Sequence, residues 1–125
     1  MDIIRRVDIE AFANPGVTSR QLLHQGNVAT TRVTITHVTV EPGSVNPRHT
    51  HSGAEQVWVA LSGRGELLIA DEATVPFAEG DVARFAPGDV HGFRNTGASA
   101  FVYLSVTAPP LDFRGAYRSH SEGAG

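Results

Sequence analysis

Gly and Pro turn clusters interrupt this chain so often that a long helix has nowhere to form. Glu41-Pro42-Gly43, Ser62-Gly63-Arg64-Gly65, Glu79-Gly80-Asp81, Pro87-Gly88-Asp89 and Thr96-Gly97 punctuate its middle, starting 8 to 21 residues apart. The intervening segments carry β-branched and aromatic residues with two-residue alternation, which suits a pleated, half-buried surface. Residues 30–40 form one such run and 56–61 a second. The turn at Ser62 to Gly65 predicts a hairpin returning over 66–70. Shorter strands are expected at 74–77, 82–85, 92–94 and 100–107, with Pro109-Pro110 closing the sheet region. No segment beyond about ten residues repeats its apolar positions at 3.6, and Asp8 to Asn14 holds a short helical turn at most. The pattern predicts an all-β, antiparallel sandwich or barrel.

With 125 residues the chain suits one domain with a single core. A net charge of −3 gives no general electrostatic attraction to nucleic acid. No cysteine is present, which excludes disulfides and thiolate metal sites and fits a reducing compartment. No run approaches the roughly 20 apolar residues that a transmembrane helix requires. Arg5 and Arg6 follow Ile3-Ile4 with no apolar region after them, unlike a signal peptide. The expectation is a cytoplasmic protein with neither nucleic-acid nor membrane partners.

The chemistry concentrates in His49-Thr50-His51, in Glu55-Gln56 just beyond, and in His91 after Pro87-Gly88-Asp89-Val90. Alternate residues of a strand face one way, so His49 and His51 can converge while Thr50 points away. Three imidazoles with a nearby oxygen donor form a set that borderline first-row metals prefer. The spacing leaves the fourth donor open. Adjacent strand residues face opposite ways, so one of Glu55 and Gln56 points inward. Trp58 shares a strand face with Gln56, and Phe93 with His91; each is a candidate for lining a pocket as much as for plain core. Asn95 suits a turn.

Two ordered segments resemble the motifs of the cupin superfamily. The first is Gly43-Ser44-Val45-Asn46-Pro47-Arg48-His49-Thr50-His51-Ser52-Gly53-Ala54-Glu55-Gln56, followed after six residues by Gly63. The second is Gly80-Asp81-Val82-Ala83-Arg84-Phe85-Ala86-Pro87-Gly88-Asp89-Val90-His91-Gly92-Phe93-Arg94-Asn95. Ala86 departs from the family's usual proline, with Pro87 one step later. Counting back from Gly63 favours Gln56 as the inward residue, whereas counting forward from His51 favours Glu55.

The resemblance implies a double-stranded β-helix, or jelly-roll barrel, over residues 29–112. An N-terminal extension with the first strands would occupy 1–28, in contact with a second copy in a homodimer, and 113–125 would be a tail with a flexible end. It implies one divalent transition metal ion (iron, manganese, nickel, cobalt, copper or zinc) held by His49, His51, Gln56 and His91. Glu55, if not a ligand, is the candidate general base. The implied activity is metal-dependent chemistry on a small oxygenated organic compound. That chemistry is dioxygenase-like, or a cyclisation or isomerisation through a Lewis-acid-stabilised enolate, as in the quercetinase-like dioxygenases and polyketide cyclases. The alternative is a non-catalytic small-molecule or metal-sensing module.

Overall fold

The larger of two antiparallel sheets collects the segments richest in β-branched residues. The computed structural model describes residues 1–29 and 32–110. In chain order its strands are β1 (Ala11–Asn14), β2 (Val17–Leu23), β3 (Thr34–Val40), β4 (Val45–His49), β5 (Glu55–Ser62), β6 (Arg64–Leu68), β7 (Thr74–Ala78), β8 (Val82–Phe85), β9 (His91–Arg94) and β10 (Phe101–Ala108). The six-stranded sheet runs β1-β2-β3-β10-β5-β8 and the four-stranded sheet β4-β9-β6-β7. This is the expected all-β jelly-roll architecture.

Strict alternation decides which side chains enter the barrel. On β3 the buried residues are Thr34, Thr36, Val38 and Val40; on β10 they are Phe101, Tyr103, Ser105 and Thr107. On β5 they are Gln56, Trp58 and Ala60. Register aligns these into rows across the sheet: Thr34, Thr107, Gln56 and Phe85; then Thr36, Ser105 and Trp58; then Val38, Tyr103 and Ala60; and last Val40 with Phe101. One end of the barrel is therefore apolar and the other polar. Phe93 stacks on Phe101 with centroids 3.9 Å apart and Phe77 packs beside both, closing the apolar end. Burying a phenylalanine side chain contributes about 1.5–3 kcal/mol, so these three rings are a substantial part of the core they share with Trp58 and Tyr103.

Three local features were not fixed by the strand pattern. The hairpin around Ser62 to Gly65 does not form, because β5 pairs with β10 and β8 whereas β6 pairs with β7 and β9. The chain crosses between sheets at Gly63, whose φ is +90°. A Cβ there would stand 2.9 Å from the Ala100 carbonyl oxygen, so the corner needs glycine both for its backbone and for its space. Second, the expected helical turn over Asp8 to Asn14 is a 3-10 turn at Arg6–Asp8 followed by β1. Pairing with β2 supplies partners that local propensity could not reveal. Third, β4 forms despite Pro47, which is tolerated because β4 is an edge strand with a bulge. Of the expected strand over 30–40, residues 30 and 31 lie outside the described residues, as does the tail at 113–125.

Candidate metal centre

His49 owes its inward direction to an irregularity. In the β4–β9 ladder Asn46 pairs with Phe93 and His49 with His91, so β4 carries one residue more than β9 between the two pairs. Without that bulge Asn46 and His49, three positions apart, would face opposite ways; with it both are buried. The close approach of the strands depends on Gly92, where a Cβ would meet the Asn46 carbonyl oxygen at 2.7 Å and the Arg48 nitrogen at 2.9 Å. His51 is not on a strand, contrary to the alternation argument. It follows the end of β4 in a loop, pinned where Gly88 N–H donates to the His51 carbonyl at 3.0 Å. That bond joins the two histidine-bearing segments directly.

The three rings meet. Centroids of His49 and His51 lie 4.9 Å apart, of His49 and His91 4.3 Å, and of His51 and His91 5.3 Å. Their ligating nitrogens all fall within 4.8 Å of one another. Two nitrogens at about 2.1 Å from one ion are at most about 4.2 Å apart, so closing the widest pair takes a small ring rotation.

Tautomers are set by backbone carbonyls, which only accept. His49 Nδ1–H donates to the Pro47 carbonyl at 2.7 Å and His91 Nδ1–H to the Asp89 carbonyl at 2.9 Å. Each ring therefore turns the lone pair of Nε2 inward, as metal-ligating histidines do. Nε2 of all three histidines is buried, and that of His91 meets no hydrogen-bond partner among the described residues. Burial first, and then the neighbouring His49, lowers the pKa of His51 to about 4 and that of His91 to about 3, although the Asp89 carbonyl and carboxylate oppose the shift at His91. Near neutral pH both rings are uncharged and able to ligate. The donor set fits a borderline first-row divalent ion.

The two candidates for the fourth donor separate by face. Gln56 is buried at 1% exposure, with Nε2 donating to Thr107 Oγ1 at 3.0 Å. Its Oε1 accepts from Trp58 Nε1–H at 3.2 Å. Indole can only donate, so this bond fixes the amide orientation and leaves Oε1 one lone pair. Glu55 lies on the opposite face of β5, half-exposed and ion-paired with Arg84.

Trp58 stands edge-on to His91 with centroids 5.4 Å apart. Phe93 is buried among the apolar rings rather than against the histidines. Asn95 bonds the carbonyls of Val40 and Ser99 and the Gly97 N–H, so it braces a turn. Sequence reasoning missed Phe85, which stacks on His91 at 4.4 Å, and the polar row of Thr34 and Thr107. The two-residue alternation of the threonines was the available signal, but alternation alone does not say which face is inside.

Residues 36–107 match the family model described as a cupin domain. No curated protein matches the chain. Among solved structures, the chain is similar to KdgF from a Halomonas species, at 16% identity and a TM-score of 0.75 over 89% of this chain and 97% of that one. It is similar to the polyketide cyclase RemF from Streptomyces resistomycificus, at 24% identity and a TM-score of 0.75 over 86% and 79% of the two chains. A predicted oxalate decarboxylase from Thermotoga maritima shares 25% identity and a TM-score of 0.72 over 88% and 100%. Among the described residues, no helix is long and apolar enough to cross a membrane.

Proposed function

Because this chain belongs to the cupin family, we propose that it is a metal-dependent enzyme acting on a small oxygenated organic compound. The observation that carries this reading is the convergence of three buried imidazoles, two with Nδ1 tied to backbone carbonyls. His49, His51 and His91 would hold the ion, with the remaining lone pair of Gln56 Oε1 as the fourth donor. A divalent transition ion bound there supplies Lewis acidity and, if it is redox-active, electron transfer to dioxygen.

Charge narrows the substrate. All four donors are neutral, and among the described residues no Asp, Glu, Lys or Arg is buried. The positive charge of the ion is thus left for a chelating substrate that binds as an anion through two oxygens, such as an enolised diketone, an enediol or a catechol. Trp58 and Phe85 flank His91 and keep bulk water from its ring. Glu55 is tied to Arg84 outside the barrel, so the geometry disfavours it as a general base. The likeness to a predicted oxalate decarboxylase supports a small oxygen-rich substrate.

Pairing of two copies belongs to the same proposal. The outer face of the larger sheet aligns half-buried Ile35, Val106 and Val57, with Leu104 beside Val59. Sedimentation returning a single-chain mass would remove it.

The test is turnover of enolisable diketones and catechols by the metal-loaded protein, under air and under nitrogen. Conversion under both gases selects Lewis-acid chemistry and conversion under air alone selects oxygenation. No conversion of either substrate class under either gas contradicts the proposal.

A further inference from the structure

The polar end of the barrel holds more hydrogen-bonding capacity than the described residues use. Gln21 and Thr34 are each 2% exposed, yet Gln21 Nε2 and Thr34 Oγ1 have no hydrogen-bond partner among the described residues. Buried donors left unsatisfied are costly, so these two call for a partner that the described residues do not provide. Their position is fixed by register. Gln21 on β2 pairs with Thr36 on β3, and Thr34 pairs with Thr107, which pairs in turn with Gln56. Thr34 therefore stands two strands from Gln56, roughly 10 Å across the sheet at ordinary strand spacing. Thr107 Oγ1 is occupied by the Gln56 amide, whereas no described residue occupies its neighbour Thr34 Oγ1.

We propose that Gln21 and Thr34 form a hydrogen-bonding wall that recognises an oxygen acceptor on the substrate, remote from the pair of oxygens that chelates the ion. The inference rests on the metal-centre reading above and adds to it a substrate class: a chelating diol or enol that carries a further neutral carbonyl or hydroxyl. The acceptor is neutral because among the described residues no cationic side chain is buried to balance an anion. Arg20, the nearest in sequence, has the opposite strand parity to Gln21 and Ser19 and so faces outward. A lone ordered water bridging the two groups is the competing account, and it makes no demand on the substrate.

The experiment uses two probes, catechol and 3,4-dihydroxyacetophenone, titrated calorimetrically into the zinc-loaded protein. The acetyl group improves chelation by itself, so the quantity read is the affinity ratio of the two probes in wild type against Gln21→Leu and against Thr34→Val. The wall predicts that the ratio falls about tenfold in each variant, the effect of a buried bond lost, with zinc content unchanged and catechol affinity within about twofold. An unchanged ratio in both variants overturns the wall and leaves the metal centre standing. Equal weakening of both probes assigns the two residues to structure and also overturns it. If neither probe binds the zinc-loaded wild type, the open-coordination reading itself fails and takes the wall with it. Thr34→Val keeps the side-chain shape, so the comparison survives if Gln21→Leu fails to fold.

Discussion

The indole of Trp58 meets the imidazole of His91 at 84°, ring centroids 5.4 Å apart, and Trp58 is the chain's single tryptophan. Its emission therefore reports on the metal centre without interference. Adding copper(II) or nickel(II) to chelator-treated protein should quench that emission with one-to-one stoichiometry. In the His49→Ala/His51→Ala double variant the saturable quenching should disappear. Equal quenching in the double variant would place the ion elsewhere.

Gln56 joins two groups that sequence treats separately, Trp58 and Thr107, and is the proposed fourth donor. Gln56→Ala strands the buried indole N–H and should lower stability by about 1–3 kcal/mol, read as a fall in Tm of the metal-free protein. Gln56→Glu should instead tighten divalent metal binding, because the added negative charge offsets that of the ion. Metal affinity that ignores both changes removes Gln56 from the ligand set.

Glu55 and Arg84 pair on the outside of the barrel, both substantially exposed. Such pairs are worth about 0–1 kcal/mol. Glu55→Gln should leave Tm and metal content nearly unchanged and leave turnover intact. A collapse of turnover with metal retained would restore Glu55 as a general base.

How far the sequence reached depends on which force sets each feature. The strand pattern, the ring of histidines and the bracing turn at Asn95 were legible, because alternation, ligand chemistry and turn chemistry act over a few residues. The Gly63 corner reads as a hairpin in sequence, since a tight glycine turn looks the same whether the chain doubles back or crosses to a second sheet; only long-range pairing decides. His49 and His51 converge for a reason alternation does not contain, namely a bulge at β4 and a loop tied to Gly88. The choice between Glu55 and Gln56 stayed open because two counting rules conflicted, and β5 pairing turns Gln56 inward. The orphaned donors of Gln21 and Thr34 had no local signature at all.

Acid should weaken the metal-free fold through the same rings. His51 and His91 have folded-state pKa values of about 4 and about 3, below the ordinary 6.5. Between those values and 6.5 the unfolded chain binds protons that the folded chain refuses. Their contribution is thus fully present above about pH 6.5 and is lost as pH falls toward 4 and then 3. Tm of the chelator-treated protein should drop across that window, and a His51→Asn/His91→Asn variant should show a shallower slope. Parallel slopes would mean that other groups carry the acid sensitivity.

Gly92 sets how closely β4 approaches β9, and with it the meeting of His49 and His91. Gly92→Ala should push the strands apart, lowering Tm and weakening zinc binding together. A variant that keeps wild-type zinc affinity would show that the close approach is not needed for ligation.

Elemental analysis of protein purified without added metal tests the central claim most directly, run beside the His49→Ala/His51→Ala variant. The account predicts one divalent transition ion per wild-type chain and none in the variant, with both giving the same β-rich circular dichroism. Stoichiometric metal retained by the double variant, or a wild type that takes up no such ion even when supplied with it, would contradict it.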